Sequence, residues 1–355
     1  MFGSSHSNVS LGIDIGTTSI KAAEVTSNGK GVFTLSNYAI LETAGHFDHF
    51  NNTLQSSSLK PLESDIIGYL KLLKAKAGFK TNKVTISLPA FTAFTTLLEL
   101  PTSSSKDTAQ ALGDAAKTYI PIPLSTVTLD WVKVGEKTFP DGSKKQQVFL
   151  VSIPNERIET ASSIFKDAGF ELDSYEIENR SVVRALTLKE EKPQLIIDIG
   201  GRSTSISVGH KGILKYSGQT DFSSDSLTQA LATALNINPR RADTMKRQIQ
   251  IIGQGGNHEL STILIPIIDV ILTEAKRIVA GFESSYQDKV AGVILAGSGG
   301  NMPGFEAYVS QQIGLPVTAG NALKTCTYPV EIEPFAKQLG PTLTVAIGLA
   351  LKNHT

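Results

Sequence analysis

An apolar run, a Gly-Thr-Thr turn and a second apolar run open the ordered pattern in "VSLGIDIGTTSIKAAEVT", and a third run follows in "GKGVFTLSNYAIL". Short apolar runs separated by turn residues predict a three-strand meander. "SDIIGYLKLLKAKAGF" then spaces Ile66, Ile67, Leu70, Leu72 and Leu73 at helical intervals, and "NKVTISLPA" reads as a short buried strand stopped by Pro89. From residue 92 to about 170 the pattern changes. A strand "AFTTLLEL", a helix "SKDTAQALGDAAKTYI", a strand "VTLDWVKV", a polar hairpin tip with Pro140, Asp141 and Gly142, a strand "QQVFLVSI" and a helix "RIETASSIFKDAGF" predict a compact α+β insert.

The opening pattern restarts in "PQLIIDIGGRSTSISVGHKGILKYSGQT", so Asp-Ile-Gly at Asp14 returns at Asp198. Residues 224 to 285 are mainly helical in pattern. Their most apolar part, "ILIPIIDVIL", is interrupted by Pro266 and Asp269 and is too short for a membrane span, so a buried helix is expected. "VAGVILAGSGGNMPGF" is a strand running into a glycine loop, and "PTLTVAIGLAL" is a closing helix with Pro341 in its first turn. The expected class is α/β, with two related lobes. Residues 1–91 with the closing helix 341–352 would form the first, 92–170 the insert, and 171–355 the second lobe, with a helical subdomain at about 224–285 and the glycine loop at 295–305.

Composition narrows the function classes. At 355 residues the chain exceeds what one core usually supports, which leaves room for a cleft between lobes. Lys plus Arg equals Asp plus Glu, 33 each, so no global field favours nucleic acid or an acidic bilayer. The single cysteine, Cys326, has no disulfide partner, no Cys/His cluster has a zinc spacing, and His46 with His49 reads as a loop pair. The first residues, "MFGSSHSNVS", lack the basic start and apolar run of a signal peptide. A cytoplasmic location is expected.

The candidate chemistry lies in the repeated turns. Glycine lets the backbone approach a ligand, and successive N–H groups with threonine hydroxyls can converge on an anion. One such turn is equally a good hairpin. Two, each preceded by an aspartate at a strand end, would clasp a polyphosphate from opposite sides, with Asp14 and Asp198 beside it to hold hydrated Mg²⁺. Gly297, Gly299 and Gly300 permit a flat surface for a purine and Asn301 suits a helix start, although a tight ligand-free turn explains the same residues. The spacing is neither Gly-x-Gly-x-x-Gly nor a Walker motif.

The order "DIGTTS", "DIGGRSTS", "GSGG" resembles the actin, sugar kinase and heat-shock chaperone ATPase superfamily. Within it, "ISLPAFTAFTTLLELP", "AAKTYIPIPLSTVTLDW", "VFLVSIPNERIETASSIFKDAGFELDSYEIENRSVVRAL" and "LTVAIGLAL" resemble the PilM family of type IV pilus assembly, relatives of the division protein FtsA. The resemblance implies an actin-like two-lobed fold with duplicated ribonuclease H-like subdomains and an SHS2-like insert. It implies ATP and Mg²⁺, with Asp14, Gly16, Thr17, Thr18 and Ser19 in a first phosphate loop and Asp198, Gly200, Gly201, Ser203 and Thr204 in a second. Asp243 and Lys246 of "RADTMKR" would face the ribose, and Glu274 and Arg277 of "EAKR" would border the adenine; an exposed helix face accounts for the same charges. Asp14, Asp198 and Glu178 are the candidate catalytic groups, Glu178 near an attacking water or else paired with Arg180 or Arg184. Lys21 would approach the ligand or lie in solvent.

Ser223 and Ser224 stand where the family usually has two glycines, and Asp243 where it has glutamate, which implies weaker nucleotide affinity. The resemblance further implies a scaffold, at most a slow ATPase, that docks the short N-terminal cytoplasmic peptide of a PilN-like membrane protein. The ending "LALKNHT" carries no amphipathic membrane helix of the FtsA kind, so peripheral attachment at the inner membrane through a partner is expected, with homo-oligomers open. A filament-forming actin homologue and a small-molecule kinase of the same superfamily remain alternatives.

Overall fold

The computed structural model describes residues 9–43, 63–101, 105–120, 122–139, 141–251, 256–300 and 302–355. His46, His49, Pro140 and Asn301 lie outside the described residues. Along the chain, β1 (Val9–Ile15), β2 (Ser19–Ser27) and β3 (Phe33–Glu42) form the expected meander, followed by α1 (Glu63–Ala77) and β4 (Lys83–Leu88). A one-turn 3-10 segment at Ala90–Thr92 leads into β5 (Phe94–Pro101), α2 (Ser105–Tyr119), β6 (Val127–Thr138), β7 (Lys144–Pro154) and α3 (Asn155–Asp167). Then come β8 (Glu171–Ile177), α4 (Glu178–Thr187), the second meander β9 (Gln194–Ile199), β10 (Thr204–His210) and β11 (Ile213–Thr220), and the helices α5 (Ser224–Leu235), α6 (Pro239–Lys246) and α7 (Gly256–Tyr286). β12 (Gly292–Ala296), α8 (Phe305–Ile313), β13 (Val317–Ala319), α9 (Ala336–Thr342) and α10 (Thr344–Leu351) complete it.

The first sheet runs β3-β2-β1-β4-β8, with β4 parallel to β1 and β8 parallel to β4. Strand alternation divides its side chains between two layers. Leu11, Ile13 and Ala22 bury against α1 and α3, whereas Ala23, Val25 and Leu35 bury against α9 and α10. This changes the expected boundary at residue 170. β8 does not head the second lobe but closes the first sheet, and Ile164 and Phe165 of α3 sit in the first lobe's core. A parallel strand pair needs a crossover that packs back on the sheet, and α3 is that crossover.

The insert proper is the sheet β5-β7-β6 with α2 on one face. β7 carries both faces by its period of two: Val148 and Leu150 meet α2, while Phe149, Val151 and Ile153 enter a core shared with α4 and with Ile196 and Ile294 of the second lobe.

The second sheet runs β11-β10-β9-β12-β13 and repeats the order and strand directions of the first through all five strands. Its outer face holds α5, α7 and α8 around Ile197, Ile206, Leu264 and Phe282. α7 includes the apolar run around Pro266, as expected, with Leu264, Ile268 and Ile271 buried. Between the two sheets α4 crosses α10. The crossing is so close that a Cβ on Gly348 would overlap the Ser181 carbonyl, and Arg184 Nη1 donates to Gly348 O at 2.9 Å. The closing helix starts at Thr344 rather than Pro341, which lies inside the preceding α9. The Thr344 hydroxyl donates back to the Gly340 and Pro341 carbonyls at this junction.

Candidate functional site

Each meander turns through the same closure. Gly16 N–H donates to Ser19 O at 3.0 Å, and Gly200 N–H donates to Ser203 O at 3.0 Å. The N–H groups of Thr17, Thr18, Gly201 and Arg202 are not used by these closures and sit at the two turn tips. The tips are apposed: a Cβ on Gly201 would stand 3.3 Å from Thr17 Oγ1. Thr17 and Thr18 are exposed there, and Ser203 is half-buried. Ser19 and Thr204 are buried at the strand starts, and the Thr204 hydroxyl is already spent on Phe222 O at 2.7 Å.

Behind the tips lie the carboxylates. Asp14, buried at the end of β1, accepts a hydrogen bond from Ser87 Oγ at 2.7 Å and has Lys21 Nζ 3.8 Å away. The strand pairing explains both neighbours: Asp14 faces Lys21 across β1 and β2, and Ser87 follows Ile86, which pairs with Ile13. Asp198 ends β9 in the equivalent place, but its cross-strand partner is Ser205, so no second lysine arrives. Burial and the nearby Asp14 charge push Asp198 up to about 6, against the pull of Lys21. Burial, Asp198 and Asp14 push Glu178 up to about 8.

Glu178 does not pair with Arg180 or Arg184. It accepts from Ala90 N–H at 3.2 Å, while both arginines turn to Glu176 beneath the helix crossing. Glu176 is fully buried; the burial penalty is outweighed by Arg184, Arg180 and the Ser181 hydroxyl, which hold its pKa below the usual range. Arg180 Nη1 also reaches Asp130 of β6 at 2.8 Å, tying α4 to the insert.

Lys246 is buried and enclosed. Its Nζ donates to Ser224 O at 3.0 Å, Ser224 Oγ at 2.7 Å and Thr228 Oγ1 at 2.7 Å, and pairs with Asp243 at 2.8 Å. It therefore clamps α5 to α6 rather than presenting a free ammonium. The two serines that replace the expected glycines have structural work: Ser223 caps α5 through a reciprocal bond with Ser226, and Ser224 holds Lys246.

The glycine loop is drawn against the floor of the cleft. Gly297 has φ +77°, and a Cβ there would stand 2.6 Å from Asp198 Oδ1; one on Gly299 would overlap Ile199. Gly300 lies over Leu295. Ile251 N–H donates to Pro303 O at 2.9 Å, which brings the end of the Asp243/Lys246 segment to this loop. Glu274 and Arg277 are elsewhere. They pair with each other at 2.5 Å, and Glu274 lies over Gly218 of β11. Gly218, Ile206, Ile197 and Leu295 form one row across the sheet, three strand spacings or about 14 Å from end to end. The structure does not bring this pair to the glycine loop.

Sequence reasoning did not single out Ser87, Phe91 or Arg202. Ser87 could have been found by aligning β4 in parallel beside β1. Phe91 and Arg202 meet only through the tertiary structure, with the guanidinium 4.7 Å from the ring centroid.

Two duplicated sheets with crossed helices between them, and paired turns facing across a cleft, define an actin-like fold. The family model described as type IV pilus assembly protein PilM matches residues 12–354, and the chain belongs to that family. Among solved structures, the chain is similar to one titled PilM-PilN type IV pilus biogenesis complex, with 20% identity, 98% of each chain covered and a TM-score of 0.80. It is also similar to MreB 5 of Spiroplasma citri bound to AMPPNP (14% identity, 96% and 95% covered, TM-score 0.56) and to ethanolamine utilization protein EutJ from Carboxydothermus hydrogenoformans (17% identity, 97% and 89% covered, TM-score 0.54). No described helix is long and apolar enough to cross a membrane.

Proposed function

We propose that this chain is a nucleotide-loaded scaffold of a type IV pilus platform. ATP with Mg²⁺ would occupy the cleft between the two turns, and the N-terminal cytoplasmic peptide of a PilN-like membrane protein would dock between the insert and the first lobe. The observation that carries the reading is the apposition of Thr17 and Gly201 over a floor of Asp14 and Asp198. Peripheral attachment to the inner membrane would follow from that partner.

The donor set fits a hydrated Mg²⁺. Burial first, and then the neighbouring carboxylate charges, make Asp198 and Glu178 hold protons more tightly than usual, and a divalent cation would relieve that excess of negative charge. Among the described residues no three His, Cys, Asp or Glu side chains form a metal cage. An ion in the cleft would be held by one or two carboxylates and substrate phosphates. When bound, the ion would offset phosphate charge. Asp14, held by Ser87, and Asp198 would orient its waters, and the turn N–H groups would bind phosphate oxygens. Gly297 and Gly299 would give the base a close backbone surface. In the cleft without a cation Glu178 holds its proton at neutral pH, so it would serve as a base only after bound Mg²⁺ lowered that pKa; we read turnover as slow at most.

The same elements link nucleotide to docking. α4 carries Glu178 at the cleft, Arg180 on the insert and Arg184 at the helix crossing, so a change in lobe angle moves all three together. Insert residues Phe94, Tyr119 and Ile122 are exposed and supply apolar surface for an extended peptide; we read this insert as SHS2-like. The test is calorimetric titration with a synthetic PilN-like N-terminal peptide, with and without Mg·ATP, on the wild type, Asp14→Ala and Asp198→Ala. Peptide affinity should rise with nucleotide, and both variants should lose that gain. Failure to bind ATP, or equal peptide affinity in all six conditions, rejects the proposal.

A further inference from the structure

Arg202 occupies the tip of the second turn, between Gly201, which faces Thr17, and Ser203, which closes the turn. It is the only charged side chain in the two tips, residues 16–18 and 200–203. Its guanidinium is exposed and lies 4.7 Å from the centroid of Phe91, across a pocket of about 370 Å³ lined by these two residues with Ser203, Gln219 and Asp221. Among the described residues it makes no ion pair, and it lies against the Phe91 ring.

We propose that Arg202 is a polyphosphate ligand held in reserve on the Phe91 ring, and that ring and phosphate compete for it. The inference rests on the nucleotide reading above and adds to it a specificity residue and a rival contact. Three features support it. The cleft floor holds Asp14, Asp198 and Glu178 with Lys21 as their near cation, so a polyphosphate entering there needs further positive charge. Arg202 stands in the second turn, next to Gly201, which faces Thr17 of the first. An exposed guanidinium on a phenyl ring is a weak contact, whereas a paired hydrogen bond from guanidinium to phosphate is among the strongest polar contacts a side chain makes. The exchange therefore runs toward phosphate.

The rival contact has a second end. Phe91 sits in the Ala90–Thr92 turn, which roots the insert, and the adjacent Ala90 N–H is bonded to Glu178. Moving Arg202 from ring to phosphate removes one contact between the root of the insert and the second lobe, leaving the shared core and the Ala90–Glu178 bond in place. Nucleotide occupancy is thereby reported to the surface that would dock the peptide.

The test measures dissociation constants for ATP, ADP and adenosine, with Mg²⁺, on the wild type, Arg202→Ala, Phe91→Leu and the double variant, with thermal unfolding of each as a check on folding. Arg202→Ala should weaken ATP roughly tenfold and leave adenosine unchanged. Phe91→Leu should tighten ATP about threefold, and should do nothing once Arg202 is gone, because its effect is only to free the arginine. Unchanged ATP affinity in Arg202→Ala, or a Phe91→Leu effect that persists without Arg202, overturns the inference while leaving the nucleotide reading standing. A wild type that binds no ATP overturns both.

Discussion

Replacing Glu178 by Gln should flatten the dependence of stability on pH between 5 and 8. In the folded chain Glu178 holds its proton until about 8, against the usual 4.5, because burial and the charges of Asp198 and Asp14 disfavour the anion. Between those values the folded state binds a proton that the unfolded state has released. Stability contributed by that proton is therefore present at low pH and falls as pH rises through the window. Integrated from pH 5 to 8, a shift of this size corresponds to about 3.5 kcal/mol for an isolated, fully screened-off group. Glu178 is partly open to the cleft and coupled to Asp198, so about 2 kcal/mol is the working figure. With a typical unfolding entropy per residue, that is roughly 2–3 °C in Tm for a chain of this length. Gln keeps the acceptor for Ala90 N–H and removes the titration. The assay is urea unfolding of nucleotide-free protein at half-unit pH steps. Wild type should lose stability from pH 5 to 8 and Glu178→Gln should lose about 2 kcal/mol less. Parallel curves would refute the reasoning, since they would mean that the cleft does not hold the proton.

Two further outcomes follow from the helix crossing. Gly348→Ala places a methyl group into the Ser181 carbonyl, a backbone atom that cannot step aside, and should cost about 3 kcal/mol or more in urea unfolding. Arg184→Met leaves buried Glu176 with Arg180, Ser181 and the more distant Lys352 charge and should cost about 3 kcal/mol, whereas Glu176→Gln with Arg184→Met should recover at least half. The pair also predicts an acid limb: Glu176 is held below the usual 4.5, so its share of stability is present above that value and disappears as pH falls through its depressed pKa, a loss absent from the double variant.

Local pattern was enough to read the meanders, most helices, the duplicated turns and their aspartates, because apolar period and turn chemistry are properties of neighbouring residues. The apolar periods in β1, β2 and β9 also contain the information that one face must be covered. They do not say by what. The sheet membership of β8, the burial of Phe165 in the first lobe, and the crossing of α4 with α10 through Gly348 depend on segments brought together from distant parts of the chain.

The site divides the same way. Asp14, Gly16 and Thr17, with Asp198, Gly200 and Gly201, could be named from the repeat, since each half is a few contiguous residues. That Lys246 is locked between Ser224 and Thr228, that Glu274 with Arg277 stands three strands from the glycine loop, and that Glu178 is raised by burial and two aspartates could not. Charge and burial depend on distance through space, and i,i+3 spacing on a helix fixes only which side chains can share a face. The sequence alone determined that two glycine- and hydroxyl-rich turns exist, each behind an aspartate. The tertiary structure decided that they face each other, put three carboxylates behind them, and set Arg202 against Phe91, because only packing of the two sheets on one crossed helix pair fixes those distances.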